Sequence, residues 1–296
     1  MSSNEDIIRE KYAGGGEDAR HSKSRATSLE FHYTKKYLTP YITPESRVLE
    51  IGCATGYYGM HFAGQCREYT GVDISPENIE IFSNKIKDAG LKNVTAQIGD
   101  ATDLKEIPDT SYDVVLCLGP AYHLPPEERA KAFSECSRVA APGGVVAFAY
   151  INGLGVYAGA CVCYKGRNIY PNRKTNEYVF VEGTDDEAPG VFYFTSPEEM
   201  EAGAAEAGLT VIGQYGLDFL FAAEAIDSMT AEQFDCYMEL ADRISKSRSC
   251  VGLANHALMI CRKERAADTP AGNTDTGSEN ATSGNKAEES NASAQE

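Results

Sequence analysis

The sequence predicts an α/β fold, doubly wound, with helices on both faces of a mostly parallel sheet. Three observations predict it. Short apolar runs alternate with stretches of helical periodicity, the signature of parallel strands joined by crossover helices. A glycine-bearing loop, Gly52 to Gly56, directly follows the first run. Successive runs then end at Gly52, Asp73, Asp100 and Gly119, residues that a parallel sheet delivers to one carboxyl edge, where ligands bind in open α/β sheets.

Each element has its local reason. The first strand is expected at Arg47–Ile51, after a helix carrying His32 and Tyr33, and the second at Glu68–Val72. Ser75 caps the next helix with Pro76 in its first position. Ile79, Phe82, Ile86 and Ala89 then recur three and four apart until Gly90. Val94–Ile98 and Asp113–Leu118 read as the third and fourth strands. The helix after Pro125-Pro126 shows one face of Ala130, Phe133, Cys136 and Val139, and Ala141-Pro142-Gly143-Gly144 reads as its terminator and a tight turn. Val145–Tyr150 is the fifth strand. Asn152 to Gly190 has no periodicity and reads as an irregular insertion over the sheet. Ser196-Pro197-Glu198-Glu199 and Thr230-Ala231-Glu232-Gln233 are capping boxes. The first opens a helix ending at Gly208, and the second a helix burying Phe234, Tyr237, Ala241 and Ile244. Leu209–Gln214 and His256–Cys261 complete a seven-stranded sheet. The expected organisation is a helical lid region at 1–46, a body at 47–265 with insertions at 152–190 and 217–250, and a tail at 266–296.

Composition narrows the function. The chain has 296 residues and a formal net charge of −17. Residues 266–296 hold six acids against Lys286 and no Val, Ile, Leu, Met, Phe or Tyr, so the tail is expected to be disordered. The rest still carries −12, which argues against a nucleic-acid surface, since phosphates demand a basic footprint. It also weighs against an anionic membrane. Val139 to Tyr164 has no charged residue but is broken by Pro142 and by Gly143, Gly144, Gly153, Gly155 and Gly159, so it reads as a buried strand and a glycine-rich loop rather than a membrane span. Met1 to Gly16 lacks the apolar core of a secretion signal. Nine scattered cysteines without a C-x-x-C pair suit free thiols in a cytoplasmic protein better than a zinc site. Cys161 and Cys163 are weak candidates as nucleophiles.

The chemistry concentrates in V-L-E-I-G-C-A-T-G-Y-Y-G, Val48 to Gly59. Glycines after a buried strand let a ligand approach the backbone, and the amides at the following helix start favour an electron-rich group. Asp73 in G-V-D-I-S stands 21 residues after Gly52, the offset at which an acid accepts ribose hydroxyls. The dinucleotide fingerprint fails, because Ala54 and Tyr57 replace its second and third glycines, and that counts against an NAD-dependent oxidoreductase.

The spacing of Glu50, Gly52 and Gly56, together with G-V-D-I-S, G-D-A at Gly99–Ala101 and the Pro-Gly-Gly segment, resembles the class I S-adenosylmethionine-dependent methyltransferases over Arg47 to Tyr150. The segments L-G-P-A-Y-H-L and A-N-H-A-L-M-I-C-R-K further resemble a bacterial subgroup of small-molecule type. The resemblance implies a Rossmann-like sheet, S-adenosyl-L-methionine as cofactor and a small-molecule acceptor. It also implies roles. Glu50, Gly52 and Gly56 would form the loop beside the methionine portion, with Cys53 and Ala54 lending backbone contacts. Asp73 would hold the ribose and Ile74 pack on the adenine. Asp100 and Ala101 would receive the adenine, and Leu118 and Gly119 would line the far side of the methionine portion. The sulfonium already carries the reactive methyl, so the protein aligns a nucleophile and excludes water. His123 is the candidate base where the acceptor must lose a proton. Its competing reading is a histidine that bonds the backbone of the insertion. Tyr122 reads as a wall, and His32, Tyr33 and His256 as packing residues. An inactive cofactor-binding regulator and a protein methyltransferase are the remaining alternatives.

Overall fold

The computed structural model describes residues 22–162, 173–184, 190–218 and 223–265. The tail at 266–296, the Met1–Gly16 segment and Cys163 therefore lie outside the described residues.

The strands are β1 (Arg47–Ile51), β2 (Glu68–Asp73), β3 (Val94–Ile98), β4 (Tyr112–Cys117), β5 (Ala140–Ile151), β6 (Leu209–Gly216) and β7 (His256–Lys263). They form one sheet in the order β3-β2-β1-β4-β5-β7-β6. Strands β1 to β5 pair in parallel, and β7 runs antiparallel to both β5 and β6. The chain moves outward from β1 through β2 to β3, then crosses back to β4 on the other side of β1. The crevice above β1 and β4 is thus the switch point at which such sheets bind ligands.

The helices are α1 (Arg25–Leu38), α2 (Tyr57–Phe62), α3 (Pro76–Asp88), α4 (Pro126–Val139), α5 (Gly153–Val162), α6 (Arg173–Asn176), α7 (Pro197–Glu206), α8 (Ala223–Asp227), α9 (Ala231–Ile244) and α10 (Arg248–Val251). Alternate strand residues feed two cores. Val48, Leu116, Val145 and Leu258 face one layer, which includes Leu29, Phe31 and Tyr33 of α1, and Leu49, Val115, Val146 and Met259 face the other. The caps read from sequence are present: Ser75 accepts from the Asn78 amide, and Ser196 with Glu199 and Thr230 with Gln233 close reciprocal boxes. On α9, Tyr237 and Ala241 are buried, whereas Phe234 and Ile244 are half-buried.

Three expectations need correction. The Pro142-Gly143-Gly144 segment is not a turn between helix and strand. Strand β5 begins at Ala140, pairs it with Tyr112, and resumes at Val145 opposite Val114. The extra residues form a bulge that accommodates Gly143 at φ +80°. Strand β4 lies one residue earlier than expected at each end. The insertion after Asn152 is not irregular throughout, because it opens with helix α5 and continues in α6 and a π-helical turn at Glu177–Glu182. Helix α5 has no polar face to give it a visible period. Its glycines also serve packing: a Cβ on Gly155 would lie 2.2 Å from the Ala254 carbonyl oxygen. Among the described residues no helix is long and apolar enough to cross a membrane.

Helix α1 docks on the second insertion: Arg25 Nη1 donates to the Met229 carbonyl at 2.6 Å, and Tyr33 and Lys36 both reach Asp242.

Candidate functional site

The loop after β1 is shaped by residues that tolerate positive φ. Gly52 and Gly56 sit at φ +75° and +84°, and Ala54 at 45°. A side chain on Gly52 would lie 2.4 Å from Pro120 Cδ, and one on Gly56 2.0 Å from Phe82 Cδ2. Both glycines are therefore required by close approach as well as by conformation. The Gly52 and Cys53 amides donate to the Val72 carbonyl at 2.8 and 3.0 Å, which ties the loop to β2.

Asp73 ends β2 and gathers the site. Its Oδ2 accepts from the Ala54 amide at 2.8 Å, and its Oδ1 from the Ser75 amide at 2.9 Å and Asn78 Nδ2 at 3.2 Å. These bonds hold the carboxylate at the cavity wall and brace the backbone of the strained Ala54. Asp100, at the end of β3, is half-buried and accepts from the Thr102 amide at 2.8 Å.

An open cavity occupies the switch point. Of the residues singled out from sequence, Gly52, Ala54, Asp73, Ile74, Asp100, Ala101, Gly119 and His123 line it. Glu50, Cys53, Gly56 and Leu118 do not. Glu50 is buried and accepts from the Tyr69 hydroxyl at 2.6 Å; burial, with Asp73 adding to it, pushes its pKa up to about 8. Cys53 is buried and points at Gly71, where a Cβ would lie 2.9 Å from its Sγ. Burial raises its thiol well above the usual range, so it is no nucleophile. Gly56 caps α2 and packs on Phe82. Leu118 belongs to the buried core.

His123 lies at the far side of the cavity. The ring is buried, its Nδ1 is 2.6 Å from the Val191 carbonyl oxygen, and its centroid is 5.2 Å from that of Phe192. The neighbouring Tyr122 carbonyl accepts from the Tyr193 amide at 2.8 Å. The segment after the insertion is thus fastened to the same loop that walls the cavity. This is the insertion-bonding geometry weighed for His123. A carbonyl can only accept, so Nδ1 carries the proton in the neutral ring and the lone pair falls on Nε2. Tyr122 lines the cavity as a wall. His32 is exposed and Tyr33 is buried against Asp242, both away from the cavity.

Sequence reasoning missed Ser75 and Asn78 as cavity residues, and also Pro120 and Leu124. Ser75 was legible only as a helix cap. Asn78 sits one turn into the helix that follows Asp73, a position from which a side chain can point back at the strand end, and that spacing was the available signal. Among the described residues no cluster of His, Cys, Asp and Glu could hold a metal ion.

Comparison with known proteins agrees with this geometry. Residues 48–144, about a third of the chain, match the family described as a methyltransferase domain. The chain is 36% identical over 95 residues to the uncharacterized methyltransferase YcgJ of Bacillus subtilis, covering 32% of this chain and 36% of that protein. It is 28% identical over 106 residues to a ubiquinone biosynthesis O-methyltransferase of Paracidovorax citrulli, covering 36% of this chain and 44% of that protein. The chain thus spans less than half the length of these curated relatives. Among solved structures, phosphoethanolamine N-methyltransferase 2 of Haemonchus contortus, in complex with S-adenosyl-L-methionine, superposes with a TM-score of 0.61 at 18% identity. That match covers 90% of this chain and 61% of that one, and the likeness is one of fold. Residues 48–144 match a methyltransferase domain, and the sheet has the Rossmann-like fold seen in solved methyltransferases.

Proposed function

We propose that this protein is an S-adenosyl-L-methionine-dependent methyltransferase acting on a small-molecule acceptor. It would be cytoplasmic and of the subgroup marked by L-G-P-A-Y-H-L. The observation that carries the reading is the cavity at the switch point, where Gly52, Asp73, Asp100 and Gly119 converge from the ends of four strands. The donor set suits the cofactor: two carboxylates to accept from a nucleoside, apolar Ile74 and Ala101 between them, and bare backbone at Gly52 and Gly119. The acceptor assignment draws support from the acidic body and from the name of the O-methyltransferase relative. The compartment draws support from free cysteines at 53, 66, 117, 136, 236, 250 and 261.

Bound there, S-adenosyl-L-methionine would supply an activated methyl group on a sulfonium. Asp73 would hold the ribose hydroxyls, and Asp100 with the Ala101 amide the adenine. Gly52, Ala54 and Gly119 would bring backbone against the methionine portion. Glu50, Cys53, Gly56 and Leu118 would act from behind the wall, fixing the loop and strand ends that touch the ligand. His123 and Tyr122 would close the acceptor side, His123 orienting the acceptor and holding the insertion across it.

The test is direct. Calorimetry should show S-adenosyl-L-methionine binding to the full chain, with no binding of NAD. Incubation of the chain with methyl-labelled cofactor and a metabolite extract should label a low-molecular-weight compound. Label found only in polypeptide would replace the acceptor class, and binding without transfer to anything would favour an inactive regulator.

A further inference from the structure

The carboxylate at the wall of the cavity has little capacity left for a ligand. A carboxylate offers about four lone-pair sites on its two oxygens. In Asp73 the protein takes three of them. Its Oδ1 accepts from the Ser75 amide at 2.9 Å and from Asn78 Nδ2 at 3.2 Å, and its Oδ2 from the Ala54 amide at 2.8 Å. Asp73 and Asn78 are both well buried, at 8% and 4% exposure, and both line the cavity at the switch point. One acceptor site therefore remains on Asp73, at Oδ2. A ribose presents two neighbouring hydroxyls, and each needs a partner once it leaves water. Asp73 can serve one of them, so the other requires a second acceptor close by.

Asn78 supplies that acceptor. It lies in the first turn of α3, and helical side chains lean toward the N-terminus, here back toward the end of β2. A carboxylate only accepts, so the Asn78 amide must turn its nitrogen to Asp73. That choice fixes its oxygen on the other arm of the amide. Among the described residues no donor reaches Asn78 Oδ1. An amide oxygen left without a donor in so buried a place is costly, and the cavity that Asn78 lines is where a donor can arrive. Neighbouring polar groups are engaged within the protein. Ser75 Oγ donates to Glu77 Oε2 at 2.9 Å and accepts from the Asn78 amide at 3.3 Å. The Asp73 carbonyl accepts from the Gly99 amide at 3.0 Å. Asp100, at the end of the next strand, is the acceptor assigned above to the adenine.

We propose that Asn78 is a specificity-determining residue of the nucleoside pocket, and that the ribose diol is divided between two side chains. One hydroxyl donates to the open position on Asp73 Oδ2 and the other to Asn78 Oδ1. This rests on the S-adenosyl-L-methionine reading above and deepens it. Asn78 Oδ1 is aimed only because Nδ2 is held on Asp73, so both hydroxyl contacts depend on the carboxylate while Asn78 makes one of them. Two acceptors facing the diol demand two donors. A nucleoside lacking either hydroxyl leaves a buried acceptor unpaired, and one phosphorylated there sets an anion against a carboxylate and an amide oxygen. Sites built to bond a hydroxyl reject analogues without it far more strongly than apolar pockets discriminate by size. The pocket therefore selects nucleosides with a free 2′,3′-diol.

The experiment is a cycle in which a ligand hydroxyl and the Asn78 side chain are removed separately and together. Calorimetry on the full chain measures affinity for S-adenosyl-L-homocysteine and for its 2′-deoxy and 3′-deoxy forms, with no turnover needed. In wild type each deoxy form should bind about tenfold or more weakly than the parent. In Asn78→Ala the parent should lose about tenfold. One deoxy form should then bind within about twofold of the parent, and the other should keep its full loss. Wild type that binds either deoxy form as tightly as the parent overturns the inference. So does an Asn78→Ala chain in which both deoxy losses keep their wild-type size, since Asn78 is then only a brace for Asp73. Both losses shrinking together also overturns it, because the substitution has then displaced Asp73. Should Asn78→Ala fail to fold, Asn78→Leu keeps the volume without polar atoms and gives the same cycle. Wild type with no affinity for S-adenosyl-L-homocysteine instead overturns the methyltransferase reading itself, whereas failure of the Asn78 assignment alone leaves a chain that binds it.

Discussion

At the scale of single residues the site turns on Asp73. Its three protein bonds engage both oxygens before any ligand arrives, so its substitution removes a ligand contact and releases the Ala54 amide together. Bonds to a charged acceptor contribute about 1.5–3 kcal/mol each, and two ribose hydroxyls would be lost. Asp73→Ala should therefore weaken S-adenosyl-L-methionine binding at least 100-fold, while Asn78→Ala, which removes one brace, should cost roughly tenfold. Unchanged calorimetric affinity in a folded Asp73→Ala chain would remove it from the site. Glu50 makes a separate prediction. Burial raises its folded pKa to about 8, above the ordinary carboxylate value near 4.3 expected when unfolded. The folded state then binds the proton more tightly than the unfolded one. Its contribution to stability is complete below about pH 4 and is lost as pH rises through 8. Thermal melts of wild type and Glu50→Gln between pH 5 and 9 should show the variant gaining on wild type as pH rises. Parallel curves would mean that Glu50 is ionised in the fold.

At the scale of elements, what could be read from sequence was what neighbouring residues encode. Caps at Ser75, Ser196 and Thr230, and the strand-to-loop motifs ending at Gly52, Asp73 and Asp100, are local, and the structure has them where the residues imply. Contacts between distant segments were invisible. Val191 is 68 residues from His123, and Asp218 is 38 residues from His256, so these contacts could not be inferred from the residues around either histidine. The bulge in β5 was hidden because Pro-Gly-Gly commonly makes a turn, and only pairing with Tyr112 and Val114 reveals it as strand. Helix α5 was hidden because its glycines look like loop. That misreading yields a test. Ala is the better helix former by about 1 kcal/mol, so Gly155→Ala in a loosely packed helix should stabilise. Here its Cβ would meet the Ala254 carbonyl oxygen at 2.2 Å, a backbone atom that cannot swing aside. Overpacking of this kind costs about 1–3 kcal/mol, so the melting temperature should fall by several degrees. A rise would mean that α5 does not pack on the segment before β7.

At the scale of the whole molecule, the two ends of the chain predict opposite responses to truncation. The region at 1–46 reads from sequence as a lid, yet Leu29, Phe31, Tyr33, Tyr37 and Leu38 of α1 are all buried in the layer that covers one face of the sheet. Tyr37 stacks on Tyr215 of β6 at 3.8 Å, and Phe31 packs on Tyr57 and Tyr58 of α2. Helix α1 thus spans from the loop that begins the cavity to the insertion that bears Asp242. Burying one large apolar side chain contributes about 1.5–3 kcal/mol, so losing five approaches the entire 5–15 kcal/mol by which domains are stable. A chain starting at Thr43 should therefore be unfolded or molten by near-ultraviolet circular dichroism, rather than a folded enzyme with an open site. Residues 266–296 have no side chain able to join either core. Ending the chain at Arg265 should leave the melting temperature and cofactor affinity unaltered. A folded chain without α1 would make the N-terminal region a detachable lid, and a loss of several degrees on removing 266–296 would show that the acidic tail docks on the body.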